Sequence, residues 1–175
     1  MASTSEKNSL SKWGTNPVPL IINGTDVALP STFTVVSPGP GEALWDASAA
    51  STIEATQAVE AARAAFVSWS ATKPSVRREV FFRAADLFQS RKEQLLSYES
   101  RETGAGKPFT ELGINAAQQL LREIGGRIES ALEGFVPVTA EEGTHAMMLK
   151  EPYGVVLAIA PWYVRMQIYD LPFRH

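Results

Sequence analysis

An unbroken apolar run, Val155-Val156-Leu157-Ala158-Ile159-Ala160, leads directly into Pro161, and few folds accommodate such a segment. Its length is that of a strand, and without polar alternation neither face suits water, which is the pattern of a strand in a parallel sheet covered on both sides. Pro161 has no N–H to give to a ladder, so pairing is expected to stop there, and Pro152 with Gly154 makes a turn before the run. Ligands of open α/β sheets bind beyond the carboxyl ends of strands. The corner Pro161-Trp162 is therefore the one credible ligand-facing feature, beside the plainer reading that the pair only terminates a core strand.

The segments before this run read in order. Residues 1–18 are rich in Ser, Asn and Lys without periodicity and are expected to form a mobile tail. Residues 20–29 predict a hairpin, because Asn23-Gly24 tolerates the positive φ values of a tight turn. A second two-strand unit is expected from β-branched residues 32–36 and from 43–47, separated by the breaker cluster Ser37-Pro38-Gly39-Pro40-Gly41.

Helical periodicity then takes over. Ser51 and Glu54 have capping-box spacing, and Ile53, Thr56, Val59, Ala62, Phe66 and Trp69 form a stripe expected to face the core. Thr72 and Pro74 suit the cap and first turn of a second helix with Val76, Val80, Ala84, Leu87 and Phe88 on its inner face and Arg77 and Arg78 on the other. A break is expected near Ser90 and a cap at Gly104. Pro108 opens a last helix with Phe109, Leu112, Ala116, Leu120, Ile124 and Ile128 inward, while Gly125-Gly126 weakens it or admits another backbone. Residues 135–138 and 145–149 predict extended segments around an acidic turn at Glu141-Glu142-Gly143, forming a long hairpin or projecting arm.

Composition removes several classes of function. A chain of 175 residues with 45% hydrophobic content supports one domain with a core. With a net charge of −3 and no Lys/Arg cluster, nucleic acid is not an expected partner. The first residues carry neither an apolar signal core nor an Arg-rich amphipathic pattern, and no apolar run is long enough to span a bilayer, so a cytoplasmic location without a membrane partner is expected. The absence of cysteine excludes disulfides, thiolate metal sites and a thiol nucleophile within this chain. His145 and His175 have no clustered carboxylates beside them, so no metal site is expected.

The remaining candidate motifs have plainer readings. Thr103-Gly104-Ala105-Gly106-Lys107 is suggestive of a phosphate loop, but Arg101 and Pro108 stand where such a loop needs Gly and Ser/Thr, and a helix precedes it; a helix cap is expected. Glu141-Glu142 and Glu99 with Glu102 are expected to be solvated charge rather than acid/base pairs. Trp45, Phe66 and Trp69 are spaced as core residues. Neither Gly-x-Ser-x-Gly nor Gly-x-Gly-x-x-Gly occurs.

Several blocks, in order, resemble the aldehyde dehydrogenase superfamily. They are Ile22-Asn23-Gly24 with the Ser37 to Glu42 turn, residues 58–66 with Trp69, Arg77-Arg78 leading to Ala84-Ala85-Asp86-Leu87, Glu102-Thr103-Gly104 before Lys107-Pro108, and Glu151-Pro152 with Gly154 to Trp162. Within the family they look most like the branch handling aromatic aldehydes such as salicylaldehyde or vanillin. The resemblance implies an α/β fold, here an incomplete Rossmann-like cofactor domain with amino-terminal hairpins, a helical middle, one arm and one parallel-type strand. It places that domain at residues 19–162, makes residues 135–150 an oligomerisation arm for homo- or hetero-association, and implies NAD or NADP as cofactor, lined by Ile159, Ala160, Pro161 and Trp162.

The family reaction is thiolate attack on an aldehyde, hydride transfer to NAD(P)+ and thioester hydrolysis. Its oxyanion-stabilising Asn would follow Trp162, where this chain has Tyr163, and its catalytic Cys and Glu find no match, so no catalytic residue is assigned and the chain alone is expected to be inactive. Residues 163–175 resemble nothing in the family and are read as an out-of-frame, read-through or mis-spliced ending. The alternative function is a non-enzymatic helical interaction module that associates with a full-length relative.

Overall fold

In a computed structural model, residues 17–160 are described. Two antiparallel hairpins come first. Strands β1 (Leu20–Ile22) and β2 (Thr25–Val27) join through Asn23 and Gly24, both at positive φ, as the two-residue turn requires. Strands β3 (Thr32–Val36) and β4 (Ala43–Ser48) pair with Val35 opposite Trp45 and a register shift at Val36, and the turn between them closes through Gly41 N–H donating to Ser37 O. Val18, expected in the tail, is tied to the outer side of β4: its N–H donates to Asp46 O at 2.8 Å and its carbonyl accepts from Ser48 N–H at 2.9 Å. The family-like α/β architecture is present as these two small sheets and four helices.

Helix α1 (Thr52–Ser70) starts on the expected capping box, with Ser51 N–H donating to Glu54 Oε2 at 2.8 Å and Ile53 N–H donating to Ser51 Oγ at 3.1 Å. The Ser51 hydroxyl, which also donates to Glu54 Oε2, and then the Ser51 N–H hold the Glu54 carboxyl below its ordinary pKa. The expected core face of α1 is not a core: no α1 residue is buried, and Ile53, Val59 and Trp69 are exposed, because none of the described elements supplies a large apolar surface opposite it. Helix α2 (Pro74–Ser90) is capped by Lys73 rather than Thr72. Pro74 at the first helical position holds its predecessor extended, and Thr72 bonds back to Ser68 O of α1 instead.

Helix α3 (Lys92–Thr103) follows a break at Arg91 and ends at Gly104 in the left-handed region, both as expected. Helix α4 (Lys107–Leu132) runs antiparallel to α2, since Arg78 bonds Glu129, Phe82 meets Gly125 and Arg122 bonds Asp86. The core lies between α2, α3 and α4 and is built on Ala85, Leu96, Thr110, Ile114 and Ala117. The inward faces differ from the expected ones. On α2, Val76, Val80 and Leu87 are exposed and Ala85 is buried, and on α4, Phe109 and Leu112 are exposed while Thr110, Gly113, Ile114, Ala117 and Gly125 face in. Ala85, Gly113, Ala117 and Gly125 let the helices pack closely around Ile114, the largest fully buried side chain among the described residues.

Arg77 and Arg78 also face packed elements rather than open solvent. Arg77 Nη2 donates to Trp69 O and Ser70 O, at 3.1 and 2.8 Å, beside the Thr72 N–H that also reaches Trp69 O at the end of α1, and its guanidinium lies over the Trp69 ring. Lys92 Nζ meets Glu111 Oε1 at 2.6 Å, joining α3 to α4 and holding the Glu111 carboxyl below its ordinary pKa.

Candidate functional site

The approach to the ligand-facing corner begins where α4 ends. Phe135 and Met148 exchange backbone bonds of 3.1 and 2.9 Å, making the single antiparallel pair at the root of the arm. Gly134 sits so close beneath it that a β-carbon there would fall 2.5 Å from Met148 O. Lys150 Nζ then donates to Ala131 O at 2.7 Å, fastening the returning strand to the carboxyl end of α4. The tip closes on Thr139 and Thr144, whose hydroxyls bond each other at 2.7 Å. Between root and tip the arm projects: Val136, Val138, Met147 and Leu149 are all exposed. Sequence reasoning found the arm but not Gly134 and Lys150 as its anchors; a Gly directly after a helix and a Lys at the far end of the returning strand were the available signals.

From Lys150 the chain enters the apolar run. Gly154 turns it with φ +100°. Residues 155–160 form no strand, with a bend at Val155, which corrects the expected parallel-type strand; among the described residues no neighbouring strand stands beside them to supply ladder bonds. The side chains are open, with Leu157 83% and Ile159 81% exposed, while Ala160 is half-buried. Of the expected nucleotide-lining residues, Ile159 and Ala160 lie here, and Pro161 and Trp162 lie outside the described residues.

The other candidates resolve as local structure. In the Thr103 to Lys107 loop, Gly104 N–H donates to Ser100 O and Ala105 N–H to Thr103 Oγ1, while Ser100 Oγ donates to Ala105 O. Two amides that a phosphate would need are thus consumed within the cap. Glu99, expected in solvent, is buried at 8% exposure on the inner side of α3, one turn from Leu96. Trp45 is half-buried rather than core, edge-on to Tyr98 with ring centroids 5.7 Å apart and with Arg101 over its face. Phe66 is likewise half-buried and Trp69 exposed. His145, Glu141 and Glu142 are exposed on the arm, His175 lies outside the described residues, and no cluster of three His, Asp or Glu side chains suited to a metal forms among the described residues. No described helix is long and apolar enough to cross a membrane.

A model of the aldehyde dehydrogenase family matches residues 26–169. The chain belongs to the aldehyde dehydrogenase family. The match runs past Trp162, where the resemblance read from the sequence stopped. The vanillin dehydrogenase of Pseudomonas sp. strain HR199 is 39% identical over 83% of this chain and 30% of its own length. Among solved structures, a P. syringae indole-3-acetaldehyde dehydrogenase variant in complex with NAD+ and IAA is similar, with TM-score 0.82 and 26% identity over 97% of this chain and 35% of that one. A salicylaldehyde dehydrogenase from Pseudomonas putida G7, complexed with salicylaldehyde, gives TM-score 0.72 and 25% identity over 77% of this chain and 28% of that one. The chain thus spans about 30% of the length of the curated relatives it matches.

Proposed function

We propose that this chain contributes the amino-terminal part of the cofactor domain of an NAD(P)-dependent enzyme that oxidises an aromatic aldehyde, with residues 19–162 as that part. The observation that carries the reading is the 39% identity to a vanillin dehydrogenase over 83% of this chain. In this reading Ile159, Ala160, Pro161 and Trp162 line the nucleotide, which when bound accepts hydride from the aldehyde carbon.

The residues present set the limits of that role. The chain has no cysteine, so no thiolate attack can start on its own side chains. Ile159 and Ala160 offer apolar surface alone, and with Ile159 81% exposed they do not enclose a dinucleotide. The chain by itself is therefore expected to show no turnover. Incubated with vanillin and NAD+ or NADP+, it should produce no reduced nicotinamide; aldehyde-dependent reduction would overturn the assignment. A chimera in which residues 19–162 replace the corresponding part of the Pseudomonas vanillin dehydrogenase should oxidise vanillin, and Ile159→Asp in it should raise the KM for NAD+. A folded chimera unable to bind NAD+ would contradict the lining role.

A second reading is favoured by the arm, whose Val138 and Leu149 are exposed at 101% and 73%. In it the chain is a non-catalytic module that joins a full-length relative through residues 135–150. Sedimentation of this chain mixed with vanillin dehydrogenase should then give a mixed species that Val138→Asp removes. Independent sedimentation of the two proteins would exclude this reading.

A further inference from the structure

We propose that Asn23-Gly24 is a self-modifying site, an asparagine that deamidates through its neighbour's amide and is held back from doing so by the β1–β2 ladder. Among the described residues Asn23 is the one non-glycine at positive φ, 52°, beside Gly24 at 72°. The ladder ends at the Ile22–Thr25 pair, so the Gly24 amide lies outside it. A β-carbon on Gly24 would meet nothing within 4 Å, and no side chain crowds that amide.

The reaction balances on these two residues and water alone. The Gly24 nitrogen bonds to Asn23 Cγ and gives up its proton, and the side-chain nitrogen takes up a proton and leaves as ammonia. Water then opens the succinimide ring at either carbonyl, leaving aspartate or, with the main chain routed through Cβ, isoaspartate.

The turn is the latch. Ring closure needs the Gly24 nitrogen rotated about the Cα–C bond of Asn23 to the side of Cβ, whereas the left-handed conformation holds it on the far side. Rotation therefore waits for the hairpin to open. Its pairs, Leu20 with Val27, Ile21 with Asp26 and Ile22 with Thr25, are few enough for local opening. Aspartate tolerates the left-handed region, so that product lets the hairpin close again. Isoaspartate lengthens the main chain inside a two-residue turn and breaks the register of both strands, which makes that branch one-way.

The test incubates the full 175-residue chain in mildly alkaline buffer, which favours the deprotonated Gly24 nitrogen. Asn23 is followed by peptide mass spectrometry and by methyl transfer from an isoaspartyl-specific methyltransferase. It should convert well ahead of Asn115, whose backbone is fixed within α4. Val27→Gly, which weakens the pair with Leu20, should speed conversion about fivefold with helical signal intact. Asp26→Thr, a better strand residue opposite Ile21, should slow it. Chains carrying isoaspartate should exchange the Leu20 and Val27 amides faster than chains carrying aspartate. Conversion no faster than at Asn115, a rate that neither hairpin variant moves, or isoaspartate chains that exchange as slowly as the parent would each overturn the proposal.

Discussion

Gly125 of α4 lies against Phe82 of α2 so closely that a β-carbon on the glycine would fall 2.8 Å from Phe82 Cε1 and 3.1 Å from Phe81 Cβ. This contact is where the two antiparallel helices that hold the core come nearest to requiring glycine. Gly126, next in sequence, has nothing within 4 Å of the same construction.

The two glycines therefore respond in opposite directions. Gly125→Ala forces the Phe81 and Phe82 side chains apart, a cost of about 1–3 kcal/mol that outweighs the roughly 1 kcal/mol gained from helix propensity. Gly126→Ala collects only the propensity gain. Denaturant unfolding followed by circular dichroism should place Gly125→Ala below the parent chain and Gly126→Ala above it.

Gly134→Ala acts on the arm. The added β-carbon would meet Met148 O, a backbone atom that cannot rotate away, so the Phe135–Met148 pair must open. Faster amide hydrogen exchange at Phe135 and Met148, with cleavage by added protease concentrated in residues 135–149, is the expected outcome. Exchange as slow as in the parent chain would show that the root is held by Lys150 alone.

The cap of α1 carries a pH dependence. Glu54 has its pKa lowered in the folded chain, first by the Ser51 side chain and then by the Ser51 backbone. A depressed carboxylate contributes stability that is full above its unfolded pKa, about 4.3, and is lost as pH falls through the folded value below it. Helicity of α1 should thus decline on acidification beneath about pH 4. Glu54→Gln keeps an acceptor for Ser51 N–H and should flatten that decline, whereas Ser51→Ala should lower helicity at all pH values.

Arg77→Ala removes two bonds to the last carbonyls of α1 and the cation over Trp69. A loss on the order of 1 kcal/mol is expected, with Arg77→Lys recovering only part of it because an ammonium lacks the planar fork. Unfolding midpoints of the three chains at equal concentration check the order.

Much of the local structure was legible because single residues carry it. Asn23-Gly24 accepts the positive φ of the first turn, Ser51 with Glu54 starts α1, Arg91 breaks the helix after Ser90, and Gly104 ends α3. Thr72 was misread because Pro74 determines its own cap by steric restriction of Lys73. The burial of Glu99 was not legible, since a carboxylate one helical turn from Leu96 looks solvated until α3 meets its neighbours.

What the sequence determined alone was the short-range chemistry: where turns reverse, where helices begin and stop, the order of family-like blocks, and the absence of any thiol to act as nucleophile. Which stripe of each helix faces inward, and whether an apolar run becomes a strand, was decided only in three dimensions. On α4 Phe109 and Leu112 are exposed while Gly113, Ile114, Ala117 and Gly125 face the core, and at Gly125 the Phe81 and Phe82 side chains of α2 come too close for a β-carbon. Residues 155–160 have the apolar composition of a strand but, among the described residues, no strand beside them; a ladder is a bond between segments, and a single segment specifies only one side of it.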